Sequence, residues 1–106
     1  MKIILLVLIF FLKSTVVFAH SPVKSIIPKN GIVLNQAPTE IKVNFKSLAK
    51  LLKITLQKVG GSDVALSKEP LMKNDKNHSI PLPLLEPGIY HFRWRAMSED
   101  GHIIKG

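Results

Sequence analysis

The chain contains no cysteine. Disulfide bonds are therefore excluded as a source of stability, and thiolate is excluded as a metal ligand. Any bound ion must be held by imidazole, carboxylate, thioether or amine. Aromatic residues are sparse, with one tryptophan and one tyrosine in 106 residues. Only Phe92-Arg93-Trp94-Arg95 interleaves aromatic with basic side chains, too short a stretch to build a base-stacking groove. Acidic residues are few as well, 7 against 15 lysines and arginines, for a formal net charge of +8. The lysines are scattered along the chain, so they read as a solvated basic surface rather than a nucleic-acid footprint. Also lacking is any apolar run of the ~20 residues that a membrane-spanning helix needs. The longest, Ile3 to Leu12, falls well short and is closed by Lys13.

That run has another reading. Lys2 precedes it, and Val17-Phe18-Ala19 supplies small or β-branched residues at the −3 and −1 positions of a cleavage site. Residues 1–19 therefore match a secretory signal peptide. Cleavage before His20 fits the small-x-small rule better than cleavage before Ser21. The expected organisation is a signal peptide over 1–19 and one small exported domain over 20–106. Without disulfides, a domain of this size depends on its apolar core and is only marginally stable.

Prolines and glycines cut that domain into short alternating pieces. Pro28-Lys29-Asn30-Gly31 is a turn signal after the apolar segment Val23 to Ile27, and Gln36-Ala37-Pro38 punctuates again. Ile41, Val43 and Phe45 alternate with Lys42, Asn44 and Lys46, which predicts a strand with one wet face. Leu52, Ile54 and Leu56 predict a second strand ending at Gly60-Gly61, with at most a helical turn over Leu48 to Leu52. The polar stretch Ser67 to Ser79 reads as a loop, with a short strand at Val64 to Leu66. Pro81 and Pro83 demote Ile80 to Leu85 to an edge strand or extended segment. The clearest strand follows Pro87-Gly88, where Tyr90, Phe92, Trp94 and Ala96 alternate with His91, Arg93, Arg95 and Met97. Six or so short strands without a convincing helix predict an all-β chain, an antiparallel sandwich or barrel with Trp94 and Tyr90 anchoring its core.

Several motifs in order carry a family resemblance. They are His20 behind the cleavage site, Pro28-Lys29-Asn30-Gly31, and Pro38 followed by Ile41-Lys42-Val43-Asn44-Phe45. The strongest block runs from Leu82-Pro83-Leu84-Leu85-Glu86-Pro87-Gly88-Ile89-Tyr90 through Trp94-Arg95 to Ser98-Glu99-Asp100-Gly101-His102 and Gly106. Over essentially all of residues 20–106 the chain resembles the CopC family of periplasmic copper-binding proteins. The resemblance implies an immunoglobulin-like Greek-key β-sandwich with a Cu(II) site at one end. By motif position the ligands would be His20, through both α-amine and imidazole, with Asp100 and His102. It also implies a CopD-like membrane copper transporter as partner. The family normally continues past the glycine equivalent to Gly106 into a final strand, which this sequence lacks. An open sheet edge prone to self-association is therefore expected.

The chemistry of these residues suits copper. Cu(II) favours tetragonal nitrogen and oxygen donors and heads the divalent affinity order. A free N-terminal histidine gives two nitrogens from one residue, and its α-amine holds its proton weakly at neutral pH. Gly101 lets a turn bend so that Asp100 and His102 approach one ion. Pro22 has no amide proton, so backbone-nitrogen coordination cannot continue past Ser21. Alternatives remain. Asp-Gly is a common hairpin turn, and His91 and His78 read as an exposed strand residue and a loop residue, not ligands. Met72 and Met97 are too far apart in sequence for the methionine cluster that a Cu(I) site needs. A histidine-brace copper monooxygenase is the enzymatic alternative, but a domain this small leaves no flat aromatic substrate platform. A β-sandwich interaction module without metal is the third reading. The expected role is a non-enzymatic periplasmic copper carrier that buffers the ion, confers resistance or delivers it.

Overall fold

The structure is a computed structural model and describes residues 22–106. The proposed signal peptide and His20 lie outside the described residues. Six strands form one antiparallel sheet, with no helix among the described residues. They are β1 (Val23–Ile27), β2 (Glu40–Lys58), β3 (Asp63–Val64), β4 (Asn74–Pro81), β5 (Tyr90–Ser98) and β6 (Ile103–Lys105).

Strand β2 organises the rest. Its first half lies between β1 and β4, with Val43 opposite Ile26 on one side and His78 on the other. Its second half lies between β5 and β3, with Leu56 opposite Phe92 and Val64. Strand β6 adds outside β5 through Arg95–Lys105, Ala96–Ile104 and Met97–Ile103. Ile41, Val43, Phe45 and Ile80 from the first half share one buried cluster with Ala49, Leu51, Leu56, Trp94 and Ala96 from the second. The rings of Phe45 and Trp94 meet edge-on at 5.2 Å and join the two halves. The sheet thus folds over its own inner face, as a β-sandwich does.

The two separate strands expected at Ile41–Phe45 and Leu52–Leu56 are one strand, with no helical turn between them. The reason is a change of side-chain parity. Inward residues are odd-numbered through Ala49 and Leu51, then even-numbered at Ile54 and Leu56. A bulge between Leu51 and Lys53 inserts the residue that flips the pattern. Leu52, expected inside, is only half-buried, and Leu51 is the fully buried side chain.

Three other expectations need correction. The polar run through Asn74-Asp75-Lys76-Asn77-His78 is strand β4 rather than loop; its polarity reflects an exposed stretch around one buried histidine. The short strand expected at Val64–Leu66 is Asp63–Val64. No strand was predicted after Gly101, yet Ile103–Lys105 pair with β5 and Gly106 exchanges two backbone hydrogen bonds with Trp94, at 2.9 and 3.1 Å. Strand β6 thus occupies part of the outer edge of β5. Along Tyr90 to Arg93 that edge carries no strand among the described residues.

Candidate metal centre

Ser98, Asp100 and His102 stand at the turn that joins β5 to β6. Gly101 has φ +86°, the left-handed conformation that favours glycine, and its amide bonds to the Ser98 carbonyl at 3.0 Å. The Ser98 amide in turn bonds to the His102 carbonyl at 2.8 Å, which closes the hairpin. Asp100 uses both carboxylate oxygens inside this turn. Its Oδ1 accepts a short hydrogen bond from the Ser98 hydroxyl and a longer one, 3.3 Å, from the His102 amide. Its Oδ2 lies 2.6 Å from His102 Nδ1.

A hydroxyl has one proton to give, and Ser98 Oγ also lies 3.1 Å from the His102 carbonyl. The charged, closer oxygen of Asp100 takes it. The Ser98 hydroxyl, followed by His102, pulls the Asp100 carboxyl down to about 2, so this group is ionised throughout the neutral range. Because His102 Nδ1 faces a carboxylate, it carries the proton there. The Nε2 lone pair is left as the donor, the arrangement in which a carboxylate orients a metal-binding imidazole. Both side chains are well exposed, 80% for His102 and 65% for Asp100, so an ion can reach them directly.

The turn borders a cleft of about 640 Å³ whose lining includes Asp100, His102, Lys46, Ser47 and Leu48. Pro22 lines the same cleft, and its carbonyl accepts a hydrogen bond from the Lys46 amide at 2.9 Å. The beginning of the described chain is therefore fastened to β2 at the cleft that the Asp-Gly-His turn also borders. Residues 46–48 belong to β2 where its pairing with β4 is broken between Asn44 and Ala49.

His78 supports that irregularity. It is buried, its ring packs edge-on against Phe45, and its Nε2 reaches the carbonyls of Ala49 and Asp75 at 2.9 and 2.8 Å. Two carbonyl acceptors require Nε2 to carry the hydrogen. His78 is a core residue tying β4 to the register break, not the loop residue that its polar neighbours suggested. His91 is exposed and stands on the face opposite Trp94, as its place in the alternation implies. Met72 and Met97 are both exposed.

Among the described residues no third histidine, cysteine, aspartate or glutamate joins Asp100 and His102 in a metal-holding group. His20 lies outside the described residues. Ser98 was legible only as part of a motif; its spacing from Asp100, i to i+2, is the usual signature of a side chain that braces its own turn.

A sequence model of the CopC domain matches residues 23–106. The chain is also similar to the copper transport protein CutJ of Bacillus subtilis (strain 168), 29% identical over 109 aligned positions. That alignment covers 98% of this chain and 20% of CutJ, so the chain spans about a fifth of the length of this curated relative.

Proposed function

The chain belongs to the CopC domain family, and on that premise we propose that it binds Cu(II) at the head of the β5–β6 hairpin. Its function is copper-related. The finer reading is a carrier exported through cleavage before His20, which buffers copper outside the cytoplasmic membrane or passes it to a CopD-like transporter. His20 would supply α-amine and imidazole nitrogens, His102 an imidazole nitrogen and Asp100 a carboxylate oxygen.

The observation that carries this reading is the exposed Asp100–His102 pair, 2.6 Å apart, in the cleft that Pro22 also lines. His20 precedes Pro22 by two residues, a reach of about 7 Å in extended chain, so a free amine there could enter the cleft that the turn borders. The donor set fits the metal, since imidazole, amine and carboxylate are ligands that Cu(II) takes in a tetragonal plane. Asp100 Oδ2, although it meets His102 Nδ1, keeps a second lone pair, so the carboxylate could ligate copper while still orienting the imidazole. A ligating Asp100 carboxylate would take a coordination position that an oxygen-activating enzyme needs, which favours carriage over catalysis.

The test is a Cu(II) titration of the chain beginning at His20 against the same chain with one residue added in front. The added residue removes the chelate and should lower affinity by orders of magnitude; equal affinities would rule the chelate out. In the same titration His102→Ala should weaken binding more than Asp100→Asn, because imidazole is the stronger in-plane donor. Reductant-driven turnover by the loaded protein would favour the monooxygenase reading.

A further inference from the structure

The register of the second half of the sheet gathers charges that are scattered in sequence. Lys53 of β2 stands opposite Arg95 of β5, and Arg95 stands opposite Lys105 of β6. Three cations therefore lie in one row across three adjacent strands, whose spacing is about 4.8 Å. Directly opposed residues share a face, so all three side chains leave the sheet on its outer side. Arg93, two residues before Arg95, shares that face opposite Thr55. Lys50 opens the preceding row, opposite Met97, and Met97 stands opposite Ile103.

The face thus presents Lys50, Lys53, Arg93, Arg95 and Lys105, all exposed. Among the described residues only Arg93 has a side-chain partner there, a 3.5 Å contact to Gln57 Oε1. The ion pairs among the described residues, Lys42–Glu40, Lys58–Glu86 and His102–Asp100, are elsewhere. The paired strands bring one carboxylate, Asp63, to this face, in the far row with Gln57 and His91. Like charges directly opposite one another destabilise a sheet. A row of three without a counter-ion is therefore a cost to folding that an anionic partner would relieve.

We propose that this outer face, centred on the Lys53–Arg95–Lys105 row, docks the domain onto an anionic lipid bilayer. A membrane fits better than an acidic peptide because the cations are spread over a two-dimensional array. A bound peptide strand would need a groove or a row along one strand. The exposed pair Met97 and Ile103, 39% and 52% accessible, borders the array and can enter the headgroup layer. The same two strands, β5 and β6, carry the Asp100–His102 turn at their connection, so docking holds that turn at the membrane surface.

The experiment uses residues 20–106, which hold every described strand and the whole core, free of metal in chelator. This keeps its outcome independent of the copper reading. Co-sedimentation with phosphatidylcholine vesicles containing 30% phosphatidylglycerol is compared with pure phosphatidylcholine. Binding is expected to the anionic vesicles alone and should fall steeply with salt. Each cation at an anionic surface contributes roughly fivefold, so Lys53→Gln/Arg95→Gln/Lys105→Gln should lower partitioning on the order of 100-fold. The same triple change should leave the melting temperature unchanged or raised, as the row's repulsion is removed. A control with equal charge loss elsewhere, Lys24→Gln/Lys29→Gln/Lys76→Gln, should bind nearly as the unmodified chain does. Equal losses in the two triple variants would reduce the effect to net charge and overturn the proposal. So would equal binding to neutral vesicles, displacement by free glycerophosphate at constant ionic strength, or capture by polyglutamate without vesicle binding.

Discussion

At the scale of single residues, Ser98 sets the state of the candidate centre. Its hydroxyl is the first cause of the low Asp100 pKa, ahead of His102. Ser98→Ala should therefore move the Asp100 midpoint, read by carboxyl NMR, up from about 2 toward the ordinary carboxylate value. A depressed carboxylate stabilises the fold only where it is ionised. Its contribution is complete above the unfolded value of about 3.9 and is lost as pH falls through the folded value of about 2. Because Asp100 is exposed, the effect on stability at neutral pH should be small. An unmoved midpoint in the alanine variant would mean that His102 alone holds the carboxylate. His78 is the opposite case, buried and remote from metal chemistry. His78→Ala removes the donor for two carbonyls and leaves a cavity, and should cost about 2–4 kcal/mol in a denaturant titration. His91→Ala, on the exposed face, should change neither stability nor Cu(II) affinity; loss of affinity there would contradict the assignment of strand faces.

At the scale of elements, the β5–β6 hairpin has a steric requirement at its end. Gly106 lies in register with Trp94, and a Cβ added there would stand 2.6 Å from indole Cζ2. The indole leans over the glycine on the neighbouring strand, covering backbone that has no side chain of its own. Gly106→Ala should destabilise the domain by roughly 1–3 kcal/mol, the usual range for forcing extra volume into a packed site. Trp94 fluorescence should report the displacement, because Trp94 is the chain's single tryptophan. If the variant melted with the parent and its emission were unchanged, the indole would not pack where it is placed. Trp94 Nε1 is buried without a hydrogen-bond partner among the described residues. A buried donor without a partner carries a desolvation cost at this corner of the core.

At the scale of the whole molecule, the outer edge of β5 matters most. Strand β6 covers Arg95 to Met97, and Gly106 covers Trp94, while Tyr90 to Arg93 have no strand beside them on that side among the described residues. An uncovered edge is a template for another chain. A domain of this size has only about 5 kcal/mol of stability or little more, so the edge weighs heavily. Extending β6 past Gly106 by five alternating apolar and polar residues should raise the apo melting temperature by several degrees. It should also suppress concentration-dependent association in sedimentation velocity. Identical melting and identical monomeric behaviour of the two forms would show that the edge is closed by other means.

The sequence by itself determined the parts of this protein that depend on neighbours along the chain. Alternation at Tyr90 to Met97 and at Ile41 to Lys46 announced strands and their wet faces, since strand parity is local. The Asp100-Gly101-His102 turn was legible because only a few residue types tolerate its backbone. Long-range register was not legible. The bulge between Leu51 and Lys53 hid one long strand behind two apparent short ones, and a buried His78 passed for a loop residue because its partners are distant carbonyls. Likewise, no local pattern could show that Pro22 borders the same cleft as His102, or that Lys53, Arg95 and Lys105 form a single row. Most of those juxtapositions join residues far apart in the chain. Pairing energies spread over whole strands, not the identity of any one residue, decide them.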